Sequence, residues 1–384
     1  MEVNARAALL CIVCILGRAA GARSEDIPLG KVIGDVKCAA DASQSYALYV
    51  PSNYSPDRKW SVLVAFHPAA RGRAMVEKYA AAAEQYGYIV AGSNNSRNGP
   101  WSASVAAVQA VPADLGRRFS IDPRRVYLTG MSGGARVALQ VALAKNDIAG
   151  VIASSAGYPD SRPRGRVPFA LFSTAGTEDF NYLEMRLLDR RLASPHHLAV
   201  FDGGHELPPD SVALEAIEWM ELQAMKAGRR MRDETLVDRL LDKRRKAIAA
   251  STSAVETVRL LDAMAADFQD LRDVSNEARR ARELMRQPEV RKAVDRARAA
   301  DESEARVISD IFDLEAGLLD DRRAESLLRL RGELSKLSRA ANAAEESTAR
   351  SILRVITAGA AERVQDQEYR ALLDQYRLPA RGSV

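Results

Sequence analysis

Cysteine and histidine are scarce: three and four, in a chain of 384 residues. Cys11 and Cys14 lie in an apolar run near the start, so a chain trimmed of that run keeps only Cys38. A single cysteine forms no internal disulfide, and the fold must be held by packing. Past the first run there is no C-x-x-C and no Cys/His cluster, which argues against a structural zinc. An excess of one charge is missing too. A formal net charge of +4 is too small for the concentrated basic face that nucleic acid binding requires. Long apolar runs are lacking as well: AALLCIVCILG, Ala7 to Gly17, is too short to span a bilayer comfortably.

That run has a different reading. Arg6 precedes it and Ala20-Gly21-Ala22 follows, the order of a secretory signal with a small-residue cleavage site. Residues 1–22 are therefore expected to be a signal peptide, cleaved after Ala22. The mature protein is then secreted or periplasmic, with no stable membrane insertion. A frayed apolar helix is the plainer alternative.

What is present divides into two textures. Up to about Lys226, β-rich runs alternate with helix-like spacers. The strand candidates are 46–50, 62–66, 88–91, 126–129, 150–154, 169–173 and 198–201. Residues 74–86 read as a helix, and a longer segment runs to Phe119 with Pro112 as a kink. A βαβα order predicts an α/β fold, a mostly parallel sheet with helices on both faces. After Lys226 tryptophan disappears, glycine becomes rare, and proline recurs only at Pro288 and Pro379. Residues 231–384 carry 29 basic and 29 acidic side chains, the interleaved charge of solvated helical faces. Ser253 with Glu256 fits a capping box, and Pro288 can open a helix. The expected organisation is a signal peptide at 1–22, an α/β domain at 23–227 and an all-α domain at 228–384. The last is a bundle or short solenoid, with a single long coiled coil as the alternative.

The chemistry concentrates in VYLTGMSGGARVAL, where a strand-like run meets a helix-like one. Gly130, Ser132 and Gly134 form G-x-S-x-G. A serine hydroxyl needs a base to become nucleophilic, and it needs N–H groups aimed at the charge it creates. A sharp strand-to-helix turn exposes the serine and offers the N–H of the next residue, Gly133, as an oxyanion donor. In this setting the partners follow in the order serine, acid, histidine. His205, in VFDGGHELPP after the last strand candidate, is the expected base. His67 ends an early strand and is read as holding its loop, and His196 and His197 precede the last strand. For the acid, STAGTEDF supplies Glu178 and Asp179. Asp179 is preferred; Asp202 is read as shaping the histidine's turn. The second oxyanion donor should come from VLVAFHPAARG. Pro68 has no N–H, which leaves Ala69, the preferred choice, or Ala70.

With these residues in place, the first domain resembles the α/β-hydrolase superfamily. More narrowly, it is similar to secreted esterases related to polyhydroxybutyrate depolymerases and feruloyl esterases. The matching stretches are YALYVPSNY, VLVAFHPAARG, RFSIDPRRVYLTGMSGGAR, STAGTEDF and VFDGGHELPP, which pace residues 34–226. The resemblance implies Ser132 as nucleophile, Asp179 as acid and His205 as base. It also implies a small or polymeric ester as substrate and no cofactor or metal. Trp101, after NSRNGP, falls where such relatives often place substrate contacts; a core anchor is the equal alternative. The chain departs from the pattern at Pro68-Ala69-Ala70, where the family usually has glycine after the histidine. The helical domain lies outside the resemblance, and a protein partner for it is left open. Two rivals share these residues: a serine peptidase, and a non-catalytic binding protein acting through its helices.

Overall fold

A computed structural model describes residues 27–159, 165–342, 347–358, 360 and 364–378. The expected signal peptide lies outside them. The chain forms two compact units. The first runs to Thr174 and includes Arg191–Ala199 and Leu207–Arg232. The second comprises Ala175–Arg190, Val200–Glu206 and Asp233–Val384. The division is therefore not the single cut expected at 227/228. Two segments counted with the α/β domain fall in the second unit, and Leu183 of the first of them sits in the helical core.

The strands are β1 (Val32–Cys38), β2 (Asp41–Tyr49), β3 (Trp60–Phe66), β4 (Tyr88–Ser93), β5 (Ile121–Met131), β6 (Gly150–Ser154), β7 (Ala170–Gly176) and β8 (His196–Phe201). They form one sheet in the order β1-β2-β4-β3-β5-β6-β7-β8. β2 pairs antiparallel with β1 and β4, while β3 pairs parallel with β4 and β5. The pairs β5–β6 and β6–β7 are also parallel. β3, β4, β6 and β7 are buried at every residue, as apolar strands covered on both faces should be. Helices α1 (Gly72–Tyr86) and α5 (Asp210–Lys226) share one core with the sheet, in which Met75, Tyr79, Trp219 and Met220 meet Leu63, Val90, Tyr127 and Phe172. Val62, Val64 and Phe66 are buried outside that cluster, on the opposite side of the pleat. Helices α2 (Trp101–Arg118), α3 (Gly133–Ala144) and α4 (Tyr182–Arg191) complete the alternation, and α2 continues through Pro112. This is the expected α/β class of fold, a mostly parallel sheet flanked by helices, followed by an all-α region. Its strand order reverses between β3 and β5, since β4 lies on one side of β3 and β5 on the other. In open α/β sheets such a switch marks the ligand crevice at the strands' carboxyl ends.

β1 was absent from the expected strands, and His196 and His197 lie inside β8 rather than before it. Cys38 ends β1 at 2% exposure, and burial pushes its thiol up to about 11, so it packs rather than reacts.

The helical unit contains α6 (Glu234–Ala250), α7 (Ala254–Phe268), α8 (Ser275–Arg286), α9 (Pro288–Ala316), α10 (Arg323–Asn342), α11 (Ser347–Thr357) and α12 (Gln367–Gln375). Separate helices replace the single coiled coil of the alternative reading. Their starts follow local chemistry. Asp233, Ser253 and Asp366 accept the N–H groups of Leu236, Glu256 and Tyr369, and Pro288 opens α9. Ile308, Ile311, Leu330, Leu334, Leu353, Ile356 and Leu373 form one core, and Leu183 of α4 belongs to it.

Candidate active site

In the first unit, β5 ends at Met131 and α3 begins at Gly133, leaving Ser132 on the turn between them. Its backbone stands at φ 52°, ψ −122°, a conformation that L-residues avoid. Holding a non-glycine residue there costs about 1–3 kcal/mol, which the surroundings must supply. They do so through hydrogen bonds on both sides. Ser132 N–H donates to Ser154 O at 2.8 Å, and Ser132 O accepts from Ala135 and Arg136 N–H. The flanking glycines are required by close approach. A Cβ on Gly130 would lie 2.2 Å from the carbonyl of Gly134, and one on Gly134 would lie 2.2 Å from Phe66 O. Gly133 opens α3, where N–H groups have no partner within the helix and the dipole favours negative charge.

The loop after β3 differs from expectation. Ala69 N–H, expected as the second oxyanion donor, donates instead to His67 Nδ1 at 3.0 Å. Ala70 N–H donates to His67 O at 3.1 Å. Burial of His67, aided by Arg71, lowers its pKa below the ordinary 6.5 and keeps Nδ1 an acceptor. His67 thus holds its loop, and in doing so it occupies the donor assigned to Ala69.

Asn98 was missed by sequence reasoning. A Cβ on Gly133 would lie 1.8 Å from Asn98 Oδ1, so the Asn98 amide rests directly on that glycine. The third glycine of the motif was the available signal. Trp101 opens α2 at 44% exposure, which excludes the core-anchor reading.

In the second unit, the turn after β7 carries Asp179 and the loop after β8 carries His205. Asp179 Oδ1 accepts from Asn181 N–H and pairs with His205 Nδ1, both at 2.8 Å. Its carboxylate side chain is fully buried, and that of His205 is 21% exposed. The Phe180 ring stacks on the imidazole with centroids 4.0 Å apart. Glu178, the alternative acid, instead accepts from Arg354 of α11 at 3.1 Å. The two loops are laced together: Thr177 N–H donates to Phe201 O and Glu178 N–H to Gly203 O. Thr177 Oγ1 also donates to Asp202, which shapes the turn. Beyond Asp179, α4 is anchored by Leu183 in the helical core and by Arg186 and Arg190, both paired with buried Asp301 of α9.

A protonated Nδ1 can donate to Asp179 Oδ1, and an imidazole has a second ring nitrogen on its far side. Among the described residues no group of His, Cys, Asp and Glu could hold a metal ion, and no helix is long and apolar enough to cross a membrane.

No protein family and no curated protein matches the chain significantly. Solved structures do show a distant likeness. Esterase 2 of Thermogutta terrifontis, phosphorylated by paraoxon, is 15% identical with a TM-score of 0.38, over 53% of this chain and 96% of that one. A mutant feruloyl esterase module from Clostridium thermocellum, complexed with sinapinate, is 13% identical with a TM-score of 0.40, over 49% and 85%. At these values the site is read from its own residues.

Proposed function

We propose that the chain is a serine hydrolase that cleaves carboxylic esters, with Ser132 as nucleophile, His205 as general base and acid, and Asp179 as its orienting carboxylate. The observation that carries this reading is the backbone of Ser132. A serine held at positive φ between a central strand and a helix, flanked by glycines that tolerate no Cβ, is supported at a cost in stability that a mere turn does not need.

In the proposed reaction Ser132 Oγ attacks the ester carbonyl while His205 Nε2 takes its proton. The carbonyl π electrons move to oxygen, and Gly133 N–H donates to the oxyanion. Collapse expels the alcohol, which takes the proton from His205 and leaves an acyl-serine. Water repeats the sequence: His205 removes its proton, the acyl bond to Ser132 breaks, and the carboxylic acid departs with Ser132 reprotonated. None of these steps calls for a cofactor. Exposed Trp101 is proposed to contact the substrate. The apolar start, Ala7 to Gly17, supports secretion or export to the periplasm.

Fluorophosphonate labelling beside hydrolysis of short-chain nitrophenyl esters tests the reading. Wild type should label once and hydrolyse, and Ser132→Ala should do neither. A folded wild type that neither labels nor hydrolyses would sink it.

A further inference from the structure

An oxyanion needs more than one donor, because losing one of a pair costs about 10²–10³ in rate. The positions expected to supply the second one, at the turn after β3, are engaged. Pro68 has no N–H, Ala69 N–H is held by His67 Nδ1, and Ala70 N–H is held by His67 O. The donor must come from elsewhere around Gly133.

Asn98 is in place for it. Its amide lies on Gly133, the residue whose N–H is the first donor, with Oδ1 1.8 Å and Nδ2 3.4 Å from the position a Cβ would take. A side-chain amide carries two N–H donors, and such amides serve as oxyanion donors in acyl transfer. The residue is exposed at the strands' carboxyl ends, beside the β3/β5 switch. Its loop is fixed by its own bonds. Asn98 N–H donates to Pro68 O at 2.8 Å, and Arg97 bridges to Ala69. Asn95 and Ser96 N–H both donate to Ser93 Oγ. The turn that takes the backbone donor away therefore anchors the segment carrying its replacement.

We infer that the Asn98 side-chain amide is the second oxyanion donor, paired with Gly133 N–H. Donation comes from Nδ2, and the Oδ1 and Nδ2 positions exchange by a half-turn of the amide. This rests on the serine-hydrolase reading.

The test is steady-state kinetics of full-length Asn98→Ala and Asn98→Asp on a nitrophenyl ester, with fluorophosphonate labelling. Asn98→Ala should lose about 10²–10³ in kcat with KM little changed, the mark of an interaction made only in the transition state. Asn98→Asp should lose at least as much, since its carboxylate donates nothing and repels the oxyanion. Both should melt with wild type, because the side chain is exposed, and both should still label to one equivalent, only more slowly. A kcat within about threefold of wild type, or a raised KM at unchanged kcat, would overturn the assignment of Asn98 alone. A folded wild type that neither labels nor hydrolyses overturns the hydrolase reading and the inference with it.

Discussion

His205 Nδ1 lies 2.8 Å from Asp179 Oδ1, and the carboxylate it meets is shut off from solvent. A buried acceptor of fixed position can hold one imidazole tautomer and would stabilise the imidazolium of the proposed reaction. Asp179→Asn keeps the shape and removes the charge. It should lower kcat by about 10⁴ without unfolding the protein, whereas Glu178→Gln, which disturbs only the Arg354 pair, should lower it by less than about tenfold. Ester hydrolysis by the two variants, each checked by circular dichroism, decides between the carboxylates.

The helical unit should be indispensable to the proposed chemistry. A chain ending at Lys226 keeps the whole sheet but loses the core around Leu183, along with Arg354 and Asp301. It should label with fluorophosphonate far more slowly than the full chain. In the full chain, Leu183→Ala should cost about 2–5 kcal/mol of the helical unit's stability. Wild-type labelling by the short chain would make the helices dispensable.

Glu221 of α5 is fully buried and receives Tyr88 Oη–H, Arg125 and Arg230. Removing it leaves Arg125, itself 15% exposed, without its charge partner. Glu221→Ala should destabilise the first unit by about 3–5 kcal/mol, read as a lower urea midpoint.

His67 gives stability a pH dependence. Its native pKa is lowered by burial, so the unfolded chain binds a proton first as pH falls below 6.5. Its contribution is whole above that value, declines as pH falls towards the native pKa, and then levels off. Protonated Nδ1 could no longer accept from Ala69 N–H. The stability difference between wild type and His67→Gln should therefore shrink between pH 7.5 and 5.5 in urea titrations. A difference that stays constant or grows would refute this.

The strands were legible where burial on both faces made them continuous apolar runs, as in Val62 to Phe66 and Gly150 to Ser154. β1 was not, because an edge strand reading VIGDVKC is half exposed and mixes polar residues with a glycine. At the candidate site, the strand-to-helix turn that carries Ser132 and the pairing of Asp179 rather than Glu178 with His205 agree with the local order of the sequence. The fate of Ala69 was not, since it turns on which atom of His67 lies nearest. Asn98 reaches Gly133 from a different loop, and only the unexplained third glycine hinted at a neighbour too close for a side chain. The allegiance of Leu183 to helices more than a hundred residues later leaves no trace in composition or spacing.

That allegiance bears on when the protein becomes competent. Ser132, Asp179 and His205 all leave the ribosome well before Tyr369 and Leu373, which complete the core around Leu183. At about 5–20 residues per second the interval is roughly 10–35 s. Throughout it the sheet can form while the loops bearing Asp179 and His205 wait for the helices packed around Leu183. On the proposed reading a nascent or prematurely terminated chain should react slowly, and the last segment made would arm the first.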